Sequence, residues 1–333
     1  MIVYSLKGNN LSSQDRLILK VLKLYYEHNL TQTEVANRMG FSRPKVSKLL
    51  AEGRARGLVR IQLAQPAGDF TELEIALENR YGLPEALVVE TADDPRATEL
   101  AAGGAAGELL SGICDETTTL GLSWGRALRG LAEALPAQAF TCGRVVPLVG
   151  GMGRAQNSLH ANQICSVVAS KLGTECVFLT TPAMAPSPQS RAELAETPGI
   201  QEALIEGTRC DVAVVGIGAV HPTSTIVQAG YLSLEDFLAL GKRGVVGDIC
   251  CHFIDGAGEP CCPEISDRVV GITLEQLKDI PKVIGIATGA EKAAGVAAAL
   301  TGGYLDVLVT DRELAETLLN ITLHHREEKG ELA

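Results

Sequence analysis

The sequence predicts an α/β protein in which an N-terminal winged helix-turn-helix domain precedes a larger domain built on a doubly wound, largely parallel sheet. The chain of 333 residues is long enough for two domains of unequal size. Its first 60 residues contain 11 Lys and Arg against 4 Asp and Glu, whereas the rest contains 18 against 36. Beyond the basic region, short apolar runs alternate with helical stretches, which is typical of a parallel sheet covered on both faces. We therefore expect domains at 1–65 and 83–333, joined by a connecting segment at 66–82.

The basic N-terminal region has the pattern of three helices. Apolar residues fall on one face of a predicted helix over 15–27. Thr31 and Glu34 have the spacing of a capping box that begins a second helix, and Gly40 suits its left-handed end. Ser42 is then expected to cap a third helix. Two short helices joined by a glycine-containing turn predict a motif that places the second of them in the major groove of DNA.

Operator DNA is therefore the expected partner of this region, and its binding should weaken steeply with salt as phosphate contacts release counterions. Three arginines, Arg54, Arg56 and Arg60, lie around an extended run over 58–63 that is predicted to act as a wing. A three-helix bundle with a merely solvated basic face is the alternative. The residues expected to contact bases and phosphates lie at the exposed start of the third helix: Ser42, Arg43, Lys45, Ser47 and Lys48.

The larger domain is predicted to alternate strands and helices after a connecting helix over 70–81. The predicted strands cover 86–90, 118–123, 144–149, 176–181, 212–218, 245–251, 283–287 and 305–310, and the helices 98–110, 126–135, 159–172, 291–300 and 312–319. In such sheets ligands bind beyond the carboxyl ends of the strands, in the loops that lead to helices.

Glycine-bearing segments follow three of these strands, at 121–126, 150–153 and 216–218. The first combines a serine, an arginine and a helix N-terminus, which together suit a phosphate group. Each segment alone is more often a simple tight turn, but three in one sheet favour a ligand-binding crevice at its carboxyl edge.

The first segment also contains the G-x-S-x-G pattern, so a serine hydrolase with Ser123 as nucleophile is a less favoured alternative. Such an enzyme needs a histidine late in the sheet, and neither His221 nor His252 has that position. The cysteines of Cys250-Cys251-His252 and Cys261-Cys262 lack the C-x2-C spacing of zinc sites, so no metal is predicted.

Nine cysteines without a secretory signal indicate reduced thiols, and hence a cytoplasmic protein. No run of about 18 apolar residues occurs without polar interruption, so neither a membrane span nor a membrane partner is predicted.

The sequence resembles the SorC/DeoR-type sugar-binding transcriptional regulators over nearly its whole length. The supporting segments are 30–36, 40–50, 121–126, 147–153, 245–248, 286–292 and 308–311. The resemblance implies an effector domain like those of sugar-phosphate isomerases that has lost catalysis. It also implies a homodimer or homotetramer whose operator affinity changes when a phosphorylated sugar or polyol binds. The regulator is expected to be a repressor, and no cofactor is expected. An isomerase-like enzyme fused to a DNA-binding module is the runner-up.

The resemblance also assigns the residues of the effector site. Ser123, Trp124, Gly125 and Arg126 would hold the phosphate, while His160, Asn162, Asp248 and Lys292 would face the sugar; Gly151 and Gly218 belong to the glycine-bearing loops of the same site. Simpler roles stay open, namely a solvated helix start for Lys292, a strand-end turn for Asp248 and a helix-face position for His160. Ala127 departs from the family pattern, which often has Thr there, and this weakens the phosphate assignment.

Overall fold

The computed structural model describes residues 2–3, 12–61, 68–151, 153, 157–222 and 224–321, which fall into two units divided between Asp69 and Phe70. The smaller unit contains β1 (Ile2–Val3), α1 (Ser13–Tyr26), α2 (Gln32–Met39), α3 (Arg43–Ala55) and β2 (Arg60–Ile61). Among the described helices, none has both the length and the apolar character needed to cross a bilayer.

Local sequence signals explain the three helices of the smaller unit. Thr31 and Glu34 form the predicted capping box, in which the Thr31 backbone N–H donates to Glu34 at 2.7 Å. Gly40 ends α2 with φ = 68°, a left-handed conformation that glycine adopts without strain. Ser42 has the extended backbone of an N-cap residue, but its side chain makes no capping hydrogen bond, so that prediction is only half right. The helix-turn-helix fold itself is confirmed.

The predicted wing is described only in part. Within the run 58–63, β2 pairs antiparallel with β1, and residues 62 and 63 lie outside the described residues. Arg56, one of the three arginines around this run, contacts Asp15, and its Nη1 atom lies 3.2 Å from the Glu52 Oε1 atom. These ion pairs compete with any DNA phosphate for its guanidinium group.

The larger unit alternates strands and helices. Its helices are α4 (Thr71–Tyr81), α5 (Pro95–Ile113), α6 (Arg126–Ala134), α7 (Ala161–Leu172), α8 (Pro188–Ala195), α9 (Pro198–Thr208), α10 (Thr225–Gln228), α11 (Leu234–Lys242), α12 (Pro263–Ser266), α13 (Leu274–Lys278), α14 (Ala293–Thr301) and α15 (Arg312–Asn320), with 3-10 turns at Asn157–Leu159 and Ala290–Lys292. Its strands are β3 (Glu85–Val89), β4 (Thr119–Leu122), β5 (Arg144–Pro147), β6 (Glu175–Cys176), β7 (Val212–Ala219), β8 (Val245–Ile249), β9 (His252–Asp255), β10 (Pro260–Cys261), β11 (Lys282–Ala287) and β12 (Val307–Asp311).

Seven of these strands form a parallel sheet in the order β6-β5-β4-β7-β11-β12-β3. One apolar cluster beside the sheet includes Leu110, Leu128 and Ile164 of α5, α6 and α7. A second cluster includes Val296 and Leu314 of α14 and α15, as expected when helices cover both faces of a doubly wound sheet. The parallel strand that follows β4 is β5, on one side of it, whereas the next parallel strand after β7 is β11, on the opposite side, so the strand order reverses between β4 and β7. Such a reversal is where open α/β sheets bind ligands.

The stretch 245–251 departs from the prediction, because it does not add a parallel strand. Instead β8 runs antiparallel to the carboxyl half of β7 and continues through a hairpin into β9 and β10. Cys250 and Cys251 form the hairpin turn, with φ of 50° and 68°. Consecutive left-handed residues give the type I′ geometry that matches the twist of paired strands. The chain therefore reverses at the end of a stretch whose apolar sequence predicts one continuous strand.

Several other elements differ from the predictions, among them β6, α7, α8 and α9. The predicted strand 176–181 is reduced to β6, which pairs with β5 over two residues. The helices α8 and α9, which were not predicted, fill part of the long connection to β7. The helix predicted over 159–172 begins only at Ala161, after a 3-10 turn.

The connecting helix α4 packs within the larger unit, where Leu77 belongs to the same apolar cluster as Leu314 of α15. It also covers the edge of the sheet at β3. The backbone N–H groups of Ala86 and Val88 donate to the carboxylates of Glu78 and Glu74 at 3.1 and 2.9 Å. These are peptide groups that an added strand would otherwise pair with.

Candidate functional site

A cleft-shaped cavity lies at the carboxyl ends of β4 and β7, where the strand order reverses, and the space inside it, open solvent included, is about 620 Å³. Its walls come from four segments. The lining residues are Trp124, Gly125, Arg126 and Ala127 after β4; Gly216, Ile217, Gly218 and Ala219 of β7; His221, Ser224, Thr225 and Ile226 after it; and Asp248, Glu291 and Lys292.

The turn between β4 and α6 forms the first wall. Gly125 precedes α6 with φ = 105° and ψ = −174°, a conformation that side-chain-bearing residues rarely adopt. This geometry lets the chain pass directly from the strand into a helix whose first N–H groups have no intrahelical partner. A helix start of this kind attracts anions.

Two cations line the cavity. Arg126 is the first residue of α6, with its side chain 36% exposed, and Lys292 ends the 3-10 turn before α14. Burial lowers the pKa of the Lys292 ammonium group, and the like charge of Arg126 lowers it further. Two neighbouring cations repel each other, so an anion between them would relieve a cost already present in the empty protein.

Asp248 supplies a carboxyl group to the same cavity from β8. It is 5% exposed, and burial raises its pKa to about 6, although the Cys251 backbone N–H and the Lys292 charge oppose the rise. Gly218 lies opposite Asp248 in the strand pair, and a Cβ atom there would lie 1.9 Å from the Asp248 Oδ1 atom. Only glycine leaves room for this carboxyl group.

Ser123 has a different position from the one predicted. The residue is 1% exposed and does not line the cavity. Its hydroxyl oxygen accepts the backbone N–H of Gly216 at 3.1 Å, which joins the end of β4 to β7. Ser123 therefore supports the two strands that carry the site, and the structure gives it no direct contact with the cavity.

Gly151, His160 and Asn162 also lie outside the residues that line this cavity. The Asn162 side chain is bound to the backbone N–H and carbonyl of Leu179, both at 3.0 Å. The Gly151 carbonyl accepts the Tyr231 hydroxyl at 2.7 Å. This bond connects the glycine-bearing loop to the chain just after α10, and α10 itself contributes Thr225 and Ile226 to the cavity wall. Contact of these three residues with a sugar stays a prediction.

The wall formed by Ser224, Thr225 and Ile226 was not predicted, because the stretch has no periodic pattern. Glu99 of α5 was not predicted either; its buried carboxylate lies 3.6 Å from Arg126 and 2.8 Å from Arg129. Nothing in the sequence around Glu99 indicates that α5 passes beside the start of α6.

The predicted DNA-contacting residues share one exposed surface of the smaller unit. Val46, Leu49 and Leu50 of α3 are buried, which leaves the intervening polar positions outward. The Lys45 ammonium group lies 3.9 Å from the centroid of the Phe41 ring. The exposed set comprises Ser42, Arg43, Lys45, Ser47 and Lys48. The arrangement presents three cations along a little more than one helical turn.

The nine cysteines are free thiols. In the described part of the chain, no group of three or more His, Cys, Asp and Glu side chains is arranged to hold a metal ion. The Cys251 thiol accepts a hydrogen bond from the Trp124 side chain, and burial raises its pKa.

Comparison with known proteins agrees with both units. Residues 65–320 match the family described as "Putative sugar-binding domain", and residues 11–56 match "Sigma-70, region 4". The sorbitol operon regulator of Klebsiella pneumoniae is 33% identical over 311 residues, covering 92% of this chain and 99% of that protein. The deoxyribonucleoside regulator of Bacillus subtilis is 29% identical over 310 residues, covering 92% and 98%. The crystal structure of the full-length sorbitol operon regulator SorC from Klebsiella pneumoniae has a TM-score of 0.70 at 33% identity, covering 91% of this chain and 98% of that one.

A helix-turn-helix unit with an exposed basic helix, together with an α/β unit that carries a polar cavity, defines a DNA-binding transcriptional regulator. The match over residues 65–320 and the similarity over 92% of the chain make the assignment specific. The chain belongs to the family of SorC/DeoR-type sugar-binding transcriptional regulators.

Proposed function

We propose that this regulator is a repressor of carbohydrate or polyol metabolism whose effector is a phosphorylated sugar or polyol bound in the cavity between β4 and β7. The observation that carries the proposal is the meeting of Arg126, Lys292 and the α6 N-terminus with the carboxyl group of Asp248 in one cavity. Cations and backbone N–H groups suit a phosphate, and carboxyl groups suit sugar hydroxyls.

The phosphate is proposed to bind between Arg126 and Lys292, at the first turn of α6. Three independent sources of positive potential converge there, and a phosphate at this point would also restore the pKa of Lys292 toward its usual range. Ala127 lines the cavity next to Arg126 and has no hydroxyl to offer, so on this wall the phosphate contacts are assigned to Arg126 and the helix start, with Lys292 opposite.

Sugar discrimination is assigned chiefly to the buried carboxyl group of Asp248, with the exposed carboxylate of Glu291 and the polar wall after β7 as further hydroxyl partners. A buried acceptor left without its hydroxyl partner loses stability, so such a site rejects sugars that lack the matching group. Two relatives are named "Sorbitol operon regulator" and "Deoxyribonucleoside regulator", which supports sugars and polyols as the ligand class.

On the DNA side, we assign operator contacts to the exposed face of α3. Helix-turn-helix proteins of this kind usually bind paired half-sites as symmetric oligomers, so a homodimer or homotetramer is the proposed assembly. Because its partner is bacterial operator DNA, we place the protein in the cytoplasm.

The test is calorimetric titration of hexose, pentose and hexitol phosphates, each beside its unphosphorylated parent. We expect a phosphorylated ligand to bind and its parent to bind far more weakly. Arg126→Ala and Lys292→Ala should each weaken that ligand by about 1.5–3 kcal/mol, as for a hydrogen bond to a charged group.

Lys242→Ala is the matched control, because Lys242 is exposed on α11 and does not line the cavity. Its affinity should equal that of the wild type. Equal binding of a phosphate ester and its parent would contradict the phosphate assignment, and so would unchanged affinity in both cavity variants.

We further propose that the protein regulates without catalysing a reaction. A serine hydrolase needs an exposed nucleophile, whereas Ser123 is buried and hydrogen-bonded to Gly216. Isomerisation of the bound ligand is the remaining alternative. Incubation of the best ligand with pure protein, followed by chromatography, should return it unchanged; a product formed at a rate proportional to protein concentration would contradict the proposal.

A further inference from the structure

We propose that Glu99 is an internal competitor for Arg126, holding its guanidinium group in the empty protein and releasing it when an anion enters the cavity. The inference rests on the proposed function, because it takes the phosphate to bind beside Arg126. It adds an affinity-setting residue that lies outside the cavity wall.

Glu99 is a buried carboxylate shared by two arginines. It lies on α5 and is 7% exposed. Its Oε2 atom accepts a hydrogen bond from Arg129 Nη2 at 2.8 Å, and its Oε1 atom lies 3.6 Å from Arg126 Nε. A buried carboxylate without a cationic partner is strongly destabilising. One arginine would satisfy this requirement, so the second is not needed to stabilise Glu99.

The two arginines are not equivalent. Arg129 makes the short hydrogen bond, and its side chain is only 13% exposed. Arg126 lies beyond hydrogen-bonding distance from Glu99, is 36% exposed and lines the cavity. Arg129 is therefore the permanent partner of Glu99. Arg126 can leave without stranding a buried charge.

The backbone fixes this geometry. Helices α5 and α6 cross where Gly103 meets Gly130, and a Cβ on Gly103 would lie 2.3 Å from the Gly130 carbonyl carbon. A Cβ on Gly130 would likewise lie 2.3 Å from the Glu99 carbonyl oxygen. The close approach keeps the helices at this spacing, and Arg129 holds the Glu99 carboxylate by a hydrogen bond, so Glu99 does not follow Arg126 toward a ligand. The Arg126 guanidinium group therefore cannot pair with the Glu99 carboxylate and with an anion in the cavity at the same time.

Competition of this kind predicts the sign of a mutation. Glu99→Gln keeps the shape of the side chain and an oxygen for Arg129, but removes the charge that attracts Arg126. At fixed pH and ionic strength we expect it to bind inorganic phosphate about three- to tenfold more tightly than the wild type, the scale expected for one charge at partly screened range. In an Arg126→Ala background the same substitution should change the affinity less than about twofold.

The experiment is isothermal titration of the full chain with inorganic phosphate, for the wild type, both single variants and the double variant. Glu133→Gln is the matched control, since Glu133 lies on α6, as Arg126 does, and the substitution removes one carboxylate charge from an exposed pair with Arg96 of α5. That variant should leave phosphate affinity unchanged. If Glu99→Gln is too unstable to titrate, Glu99→Asp replaces it: the shorter carboxylate reaches Arg126 less well, so phosphate should raise its melting temperature more than that of the wild type.

Weaker or unchanged phosphate binding in Glu99→Gln would overturn the inference. An equal gain in both backgrounds would do the same, because it would show a general effect of charge rather than competition for Arg126. A smaller phosphate-induced shift for Glu99→Asp than for the wild type would also contradict it. A wild-type protein that binds neither phosphate nor any phosphate ester contradicts the proposed function itself, which distinguishes the two failures.

Discussion

Asp248 is placed to bind a ligand hydroxyl, but its buried carboxyl group lowers the stability of the ligand-free protein when it is ionised. Its carboxyl group is buried in the cavity, and burial raises its pKa from an ordinary 3.8 to about 6. Between these values the folded protein binds more protons than the unfolded chain, so the free energy of unfolding falls as pH rises. A group retained at this cost is typical of a functional site.

The pH dependence gives the first test at this scale. Between pH 5 and pH 7, the wild type should lose about 1 kcal/mol of unfolding free energy relative to Asp248→Asn, which cannot titrate. The measurement is denaturant unfolding of the ligand-free protein at several pH values. Asp93→Asn, at an exposed position, is the control and should follow the wild type. Parallel curves for the wild type and Asp248→Asn would show that Asp248 keeps an ordinary pKa.

The position of a site residue could be predicted from the sequence only where the residue belongs to a recognisable strand-to-helix turn. Arg126 and Gly125 could be placed because the strand, the glycine and the helix start are local signals. Lys292 and Asp248 were placed by resemblance, although the antiparallel strand that carries Asp248 was not foreseen. Ser123 was misassigned because its partner, Gly216, is set by the register between β4 and β7, which no local pattern encodes.

Among the elements, α3 carries the clearest functional assignment. Its buried residues hold it against α1, where a Cβ on Gly53 would meet the Leu22 side chain at 2.8 Å. The close contact fixes the orientation of the helix, so its exposed cations are presented on a rigid surface. Rigid presentation is what base-specific contact requires.

Removing two of these cations tests the assignment. Arg43→Ala with Lys45→Ala should weaken binding to operator DNA, selected by the protein from a random pool, at least about tenfold at fixed salt. The matched control is Arg16→Ala with Lys20→Ala, which removes the same charge from exposed positions of α1. Fluorescence anisotropy with labelled DNA measures both. Equal losses in the two double variants would mean that the charge of the whole unit, and not α3, determines binding.

The elements of the smaller unit were predictable because caps, a glycine stop and helical periodicity are all local. The hairpin of β8 and β9 was not, since an apolar run that reverses at Cys250 and Cys251 looks the same as a continuous strand. Cysteine is also an unusual residue for a left-handed turn. The helices α8 and α9 each begin at a proline and bury few residues, so their apolar periodicity is too weak to detect.

At the scale of the whole molecule, regulation requires a coupling free energy between effector binding in the cavity and operator binding at α3. If the effector lowers operator affinity by some factor, operator DNA must lower effector affinity by the same factor. We expect equal factors when effector dissociation constants are measured with and without saturating operator, and operator constants with and without effector. If the effector changes operator affinity while its own dissociation constant is the same with and without operator, the effector must also act at a second site.

The covered edge at β3 limits how two copies of this chain can pair strand to strand. The carboxylates of Glu74 and Glu78 already accept the outward N–H groups of Val88 and Ala86. An incoming strand would have to exchange these charge-assisted bonds for ordinary peptide bonds and leave two carboxylates without partners. Continuous sheets between copies, and the fibrous aggregation that open edges invite, are therefore blocked at this side of the molecule. Oligomers of this regulator have to assemble through side-chain surfaces or other strands, which leaves the sheet finite however high the local concentration on DNA.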